Sequence, residues 1–245
     1  KENFEDVLGS ILIDLYVKHG SLIEGHKIFK RLSNADVTAW TAMIGGYAEN
    51  LPYHALTMFD EMKQANIKAN KITFICILKA CGSIGCLQEG RKIHALVRNK
   101  GLDSDIFIST SLISMYSKCG SLRESEDVFN ELLDCNIVSW NAMLSAYLQH
   151  NQAEKVLELY RKLAGEGMEP NDVTFMVAIQ SCGILASKEE VVSMVGQMMR
   201  PVSISIGQAL HADAKKKGFS VDVGNALVTL YGKCLSISEA HNVFD

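Results

Sequence analysis

Seven cysteines and seven histidines are the side chains best able to bind a metal or attack a carbonyl. Their spacing withholds that chemistry. No two cysteines form a C-x-x-C pair, and Cys76, Cys81 and Cys86 are five apart, so on one helix they point different ways. None of His19, His26, His54, His94, His150, His211 and His241 is followed two residues later by Glu, as the zinc deaminase signature requires. There is no Gly-rich phosphate loop and no nucleophile elbow. The cysteines repeat instead: Cys81 and Cys182, and Cys119 and Cys234, hold equivalent places in two copies of a longer pattern. Repetition at small apolar positions points to packing, and such thiols fit a reducing compartment. No catalytic residue, no metal site and no cofactor is expected. What remains is hydrogen-bonding chemistry at recurring Ser, Thr, Asn and Asp: the carboxylate only accepts, the amide donates and accepts, and the hydroxyl does both.

The repeat that carries these residues fixes the architecture. Trp40 returns as Trp140, Phe29 as Phe129, Met43 as Met143 and Tyr47 as Tyr147. Lys-His-Gly-Ser-Leu at 18–22 returns as Lys-Cys-Gly-Ser-Leu at 118–122. The offset then slips by one, with Asn70 and Asn171, Phe74 and Phe175. The 245 residues are 48% hydrophobic with only 3 prolines, and no apolar run approaches a bilayer-spanning length. A net charge of −4 does not advertise a polyanion partner, although charge can be arranged locally. The chain opens and closes mid-pattern, so it reads as a fragment and carries no information about a targeting peptide.

Helical periodicity stops after Asp36, Asn70, Asp105, Asn136, Asn171 and Asp222. The units are a partial 1–36, then 37–70, 71–105, 106–136, 137–171 and 172–222, and a partial 223–245. Each reads as two helices. In 37–70 the first runs from Thr38 to Glu49 with Trp40, Met43, Ile44 and Tyr47 on one face. Pro52 suits the first turn of the second helix, which carries Ala55, Leu56, Phe59 and Met62. In 106–136 the break is Cys119-Gly120-Ser121, Gly as stop and Ser as cap. The fold class is therefore all-α, a solenoid of stacked helical hairpins with the first helices lining one surface. The unit 172–222 holds an insertion near 187–201, read as an amphipathic helix (Val191, Val192, Met194, Val195, Met198) ended by Pro201. Trp40 and Trp140 read as core. Lys215-Lys216-Lys217 reads as a solvated helix end.

Val-Thr-Ala-Trp-Thr-Ala-Met-Ile-Gly-Gly-Tyr, Ala-Leu-Thr-Met-Phe-Asp-Glu-Met and Ile-Lys-Ala-Asn resemble pentatricopeptide repeats (PPR). The alternating unit lengths resemble the P, L and S variants of the plant PLS class. Thr-Phe-Ile-Cys-Ile-Leu-Lys-Ala-Cys and Gly-Arg-Lys-Ile-His-Ala resemble the L variant, and Ser-Leu-Ile-Ser-Met-Tyr-Ser-Lys-Cys-Gly-Ser-Leu the S variant. The resemblance implies a right-handed superhelix that binds single-stranded RNA, one base per repeat. It implies an organellar protein of the mitochondrion or chloroplast, concerned with C-to-U RNA editing or processing. Editing-complex proteins or a deaminase, in cis or in trans, would be further partners; no membrane is implied.

The resemblance assigns two base readers to each unit, one early in the first helix and one at the closing residue. They are Ser10 with Asp36, Thr41 with Asn70, Thr110 with Asn136, and Asn141 with Asn171, while Asn225 opens the last unit. In the L-type units Ile75 accompanies Asp105 and Met176 accompanies Asp222, without a polar early reader. Base-sandwiching positions fall on Val7, Thr38, Ile72, Phe107, Val138 and Val173. Phosphate-facing positions fall on Lys18, Lys118 and Lys233, with Glu49 and Gln149 interrupting the track. Asp matches a ring N–H, as in guanine and uracil; Asn matches adenine or cytosine. The implied site is 5′-G-A-N-A-Y-N. The competing reading is a helical-repeat scaffold that binds protein and leaves these positions unused.

Overall fold

The computed structural model describes residues 4–132, 134–193, 202–234 and 236–243. Among them are fourteen helices and no strand. Two compact units, Lys1–Leu133 and Asp134–Asp245, divide the chain, and each is described by itself.

The first unit holds α1 (Phe4–Lys18), α2 (Leu22–Phe29), α3 (Val37–Asn50), α4 (Pro52–Gln64), α5 (Lys71–Ile84), α6 (Leu87–Asn99), α7 (Ile106–Lys118) and α8 (Leu122–Glu131). The helices α1, α3, α5 and α7 pack side by side in a row. Each of α2, α4 and α6 lies against the first helix of its own hairpin and that of the next. This two-row arrangement explains the sequence pattern. First helices meet neighbours on several sides and are apolar almost throughout. Second helices bury one face and keep their charges on the other. Trp40, Met43, Ile44 and Tyr47 are buried on α3, which packs against α4 with its buried Ala55, Phe59 and Met62, and Trp40 meets Phe29 of α2 edge-on. Pro52 opens α4 in its first turn. Gly120 follows α7 with φ of 81°, where glycine avoids the cost of a Cβ. Ser121 precedes α8 without capping it; its hydroxyl donates to Glu124 Oε2 at 2.5 Å instead.

The second unit holds α9 (Ile137–Gln149), α10 (Ala153–Gly165), α11 (Asp172–Ser193), α12 (Val202–Lys217), α13 (Val221–Lys233) and α14 (Ile237–His241). The row is α9, α11, α13, with α10 and α12 each against two of its members. Phe175, Ile179, Leu227 and Tyr231 share its core. Two expectations are corrected here. The inserted stretch does not begin a separate helix: Ser187–Ser193 continues α11, and the remainder, 194–201, lies outside the described residues. The cause is one residue. Gly85 ends α5 in the left-handed region at φ 70°, whereas Ala186 stands at the equivalent place, is buried, and carries the helix on. Second, α13 begins at Val221 behind Ser220, two residues earlier than the expected boundary after Asp222.

Successive hairpins are tied by a His–Tyr bond that recurs. Nδ1 of His26, His94 and His211, on α2, α6 and α12, lies 2.9, 2.8 and 3.2 Å from the hydroxyls of Tyr47, Tyr116 and Tyr231 on the next first helix. Burial lowers the pKa of all three histidines, helped by Lys30 just past α2 and by Arg98 and Lys215 on α6 and α12. Nε2 of His211 is buried with no hydrogen-bond partner among the described residues, so a proton there would be poorly accommodated. The folded chain thus binds these protons less readily than the unfolded chain. Stability from these sites is complete above the unfolded value of about 6.5 and declines as pH falls through the lower folded values. The thermal midpoint is expected to drop from pH 7 to pH 5. His94→Gln should flatten that drop; an unchanged pH profile in the variant would refute the assignment.

Candidate nucleic-acid interface

Five closing residues stand as caps at the start of the next first helix, and this position dictates how they are presented. Asp36, Asn70, Asp105 and Asn136 are the N-caps of α3, α5, α7 and α9. Asn171 does the same at α11, accepting from Thr174 N at 3.1 Å. A short side chain with an oxygen acceptor satisfies the orphan N–H groups of the first turn, which is why Asn and Asp recur here. Capping also fixes the amide. Thr73 N donates to the Asn70 side chain at 2.9 Å, and only oxygen can accept, so Oδ1 points into the helix and Nδ2 points away. The same holds for Asn136, which accepts from Val138 N and Ser139 N, and for Asn171. Asp36 turns Oδ1 inward to Ala39 N at 2.8 Å and leaves Oδ2 as an outward acceptor. Asp36, Asn70, Asn136 and Asn171 are all exposed. At the last boundary the capping position belongs to Ser220, whose side chain makes no cap bond; Asp222 lies within the first turn of α13.

The early-helix residues are placed differently. Ser10, Thr41 and Asn141 are 4%, 8% and 8% exposed, and their polar atoms turn towards the closing residues. Ser10 Oγ reaches Asp36 Oδ1 at 3.0 Å. Thr41 Oγ1 is 2.7 Å from Thr73 Oγ1, which donates to Asn70 Oδ1 at 3.0 Å. Asn141 Nδ2 donates to Asn171 Oδ1 at 2.9 Å, while Thr174 Oγ1 donates to Asn141 Oδ1 at 2.7 Å. The early residue braces the closing one. Thr110 is half-buried, and its hydroxyl donates to Ile106 O at 2.6 Å. Thr110 and Asn136 fall in different compact units. Asn225 is exposed on α13; Ile75 and Met176 are half-buried.

Two positions beyond Asp36, Asn70, Asp105, Asn136 and Asn171 stands an exposed residue, and Val7 holds the same register three residues before Ser10. Val7, Ile72, Phe107, Val138 and Val173 are 41%, 59%, 60%, 50% and 43% exposed, and Thr38 is exposed too. Apolar side chains thus recur in the open at one register, with Phe107 meeting Lys71 Nζ 4.5 Å from its ring centroid. Lys18, Lys118 and Lys233 are exposed at the far ends of their helices. Lys18 Nζ is paired with Asp14 at 2.6 Å, which reduces its attraction for an anion. Gly82 and Gly183 leave room for the other two stems: a Cβ there would stand 3.3 Å from Lys118 Cδ and 3.6 Å from Lys233 Cδ. Glu49 is tied to Lys79.

Three kinds of residue escape the reading of the sequence: the cap partners Thr73, Ser139 and Thr174, the His–Tyr ties, and Lys71. The first kind had a signal, since each is a hydroxyl three residues after an Asn closing a unit, the pattern of a capping box.

Fold and site together define a helical-hairpin repeat array that presents a ladder of oriented polar caps. The PPR repeat family profile matches residues 35–83 and 135–183, and the PPR repeat profile matches 10–37 and 107–137, together more than half of the chain. The chain belongs to the pentatricopeptide repeat family. It is 33% identical over 241 residues to a chloroplastic pentatricopeptide repeat-containing protein of Arabidopsis thaliana, covering 97% of this chain and 36% of that one. A mitochondrial relative from the same plant is 30% identical over 244 residues, covering 99% of this chain and 33% of its own length. The chain thus spans about a third of the curated relatives it matches. The crystal structure of PPR10 in complex with an 18-nt psaJ RNA element superposes with a TM-score of 0.62 at 17% identity, covering 97% of this chain and 39% of that one. At that identity the likeness establishes the shared fold.

Proposed function

We propose that this chain recognises single-stranded RNA by sequence, one base per repeat, as an address-reading part of an organellar PLS-class protein that directs C-to-U editing or processing. The observation that carries the reading is the fixed outward group of the caps Asp36, Asn70, Asn136 and Asn171. With Oδ1 committed to the helix, Asn70, Asn136 and Asn171 offer an N–H donor, which suits the ring acceptor of adenine or cytosine. Asp36 offers an acceptor, which suits the ring N–H of guanine or uracil. The early residue then limits the room beside that edge: Ser10 and Thr41, which brace their caps, and the small Thr110 leave space for a purine, and Asn141 favours a pyrimidine. Bases would sit between successive exposed residues, Val7 with Thr38, Thr38 with Ile72, and Val138 with Val173. Aromatic stacking is worth about 1–3 kcal/mol per base, so these mainly aliphatic walls contribute less. The proposed site is 5′-G-A-N-A-Y-N, with the unit closed by Ser220 rather than Asp222 opposite the last N. PPR10 bound to its RNA, and relatives named chloroplastic and mitochondrial, support the ligand and the organelle. A deaminase or editing-complex protein, in cis or in trans, would act on the addressed transcript.

Titration with 5′-G-A-N-A-Y-N RNA and a scrambled oligomer at several salt concentrations tests this. Three phosphate-facing lysines on a single strand predict a slope of log K against log salt of about −2. The intended site is expected to bind roughly tenfold more tightly or better than the scrambled one. Equal, negligible binding to both would favour the protein-binding scaffold.

A further inference from the structure

The cap Asp105 differs from the other caps. Its Oδ1 accepts from Phe107 N at 3.0 Å and Ile108 N at 3.2 Å, as a cap should. Its other oxygen, Oδ2, is held by Lys71 Nζ at 2.6 Å. The same ammonium lies 4.5 Å from the centroid of the Phe107 ring. Lys71 opens the unit that Asp105 closes, so the pair joins the unit's two ends across the place where its base would stand. The aromatic face gives the ammonium a second attraction in that position. Burial opposes the Asp105 charge, yet the bonds from Lys71 and the two N–H groups outweigh it and hold the carboxyl below its ordinary value. The other residues that directly follow a cap are Val37, Ile106, Ile137, Asp172 and Val221, none of them a cation. In the second long unit the equivalent places hold Asp172, Ser220 and Asp222, so the arrangement is not repeated there.

We infer that Lys71 is a specificity-determining residue that masks the acceptor edge of Asp105. This rests on the RNA reading above. A free carboxylate oxygen selects guanine or uracil; one covered by an ammonium presents donors and a positive charge instead. The third position of the site is therefore indifferent because a built-in cation occupies the reader, and not only because Ile75 is apolar.

The test uses the 245-residue chain and a set of 5′-G-A-N-A-Y-N oligomers, in which the third base is varied through all four and the second through A and G. The wild type should discriminate less than about twofold at the third position and about tenfold for A at the second. Lys71→Met keeps an unbranched stem beside Phe107 and removes the charge. It should raise G and U over A and C at the third position by roughly fivefold, with the second position unchanged. Asp105→Asn preserves the cap and should instead favour A and C at the third position, which checks the site should Lys71→Met fold poorly. A third position that stays flat in both variants, while A is still preferred at the second, overturns the masking and leaves the RNA reading intact. No preference at the second position in any protein overturns the RNA reading, and the masking with it.

Discussion

Asn70→Asp is expected to reverse the base preferred opposite the unit 37–70, from about tenfold in favour of adenine to about tenfold in favour of guanine, a swing of roughly a hundredfold. The size follows from the geometry. Oδ1 of Asn70 is already committed to Thr73 N and Thr73 Oγ1, so the substitution alters only the outward group, from Nδ2–H donor to oxygen acceptor. Adenine would then meet an acceptor with its own ring acceptor, and guanine would meet it with a ring N–H. Asp and Asn are comparable N-caps, and a negative charge at a helix start is favourable, so α5 should keep its stability. Thr41 remains in place and continues to admit a purine. Competition between oligomers differing only at the second base measures the ratio, and circular dichroism checks the fold. Retained preference for adenine with intact helicity would mean that the cap does not read the base.

The hairpins were legible because their signals are local. Trp40 and Trp140, Met43 and Met143 recur at one offset and are buried, as helical spacing predicts. Pro52 and Gly120 mark their turns by backbone requirements that involve no distant partner. The register of Asp36, Asn70, Asp105 and Asn136 was legible as the place where periodicity stops, and the structure makes each the cap of the next helix. What escaped depends on residues far apart in sequence. Thr41 and Asn141 read as outward teeth, because the hydroxyls that draw them inward, on Thr73 and Thr174, lie 32 and 33 residues downstream. Lys71 carries no signal in the sequence; its ion pair exists only because Asp105, 34 residues on, is folded back onto it. The start of α13 falls before the expected boundary after Asp222 because Ser220 holds the capping position with no side-chain bond to announce it. The continuation of α11 to Ser193 turned on the absence of a glycine: periodicity announces where apolar residues recur, while Ala186 in place of a stop is a negative signal.

Phe74→Ala should produce the largest loss of stability, about 3–5 kcal/mol, the range for emptying a buried phenylalanine site. Phe74 is 1% exposed and meets Phe59 edge-on, ring centroids 6.3 Å apart. Its helix, α5, packs against α3, α4, α6 and α7, so the cavity would open where two rows of the first unit meet. Stability in a repeat array is approximately a sum of unit and nearest-neighbour terms, so the damage should stay near its source. Hydrogen exchange is expected to quicken in α4 and α5 while α12 and α13 keep their protection. The functional consequence follows from the adjacent residue. Thr73 orients Asn70 from the first turn of α5, and loosening that turn should erase the adenine preference at the second base before overall RNA affinity is lost. Uniform acceleration of exchange along the whole chain would show that the units are coupled as a single cooperative block. Retention of the adenine preference in a loosened α5 would separate the cap's role from the packing that holds it.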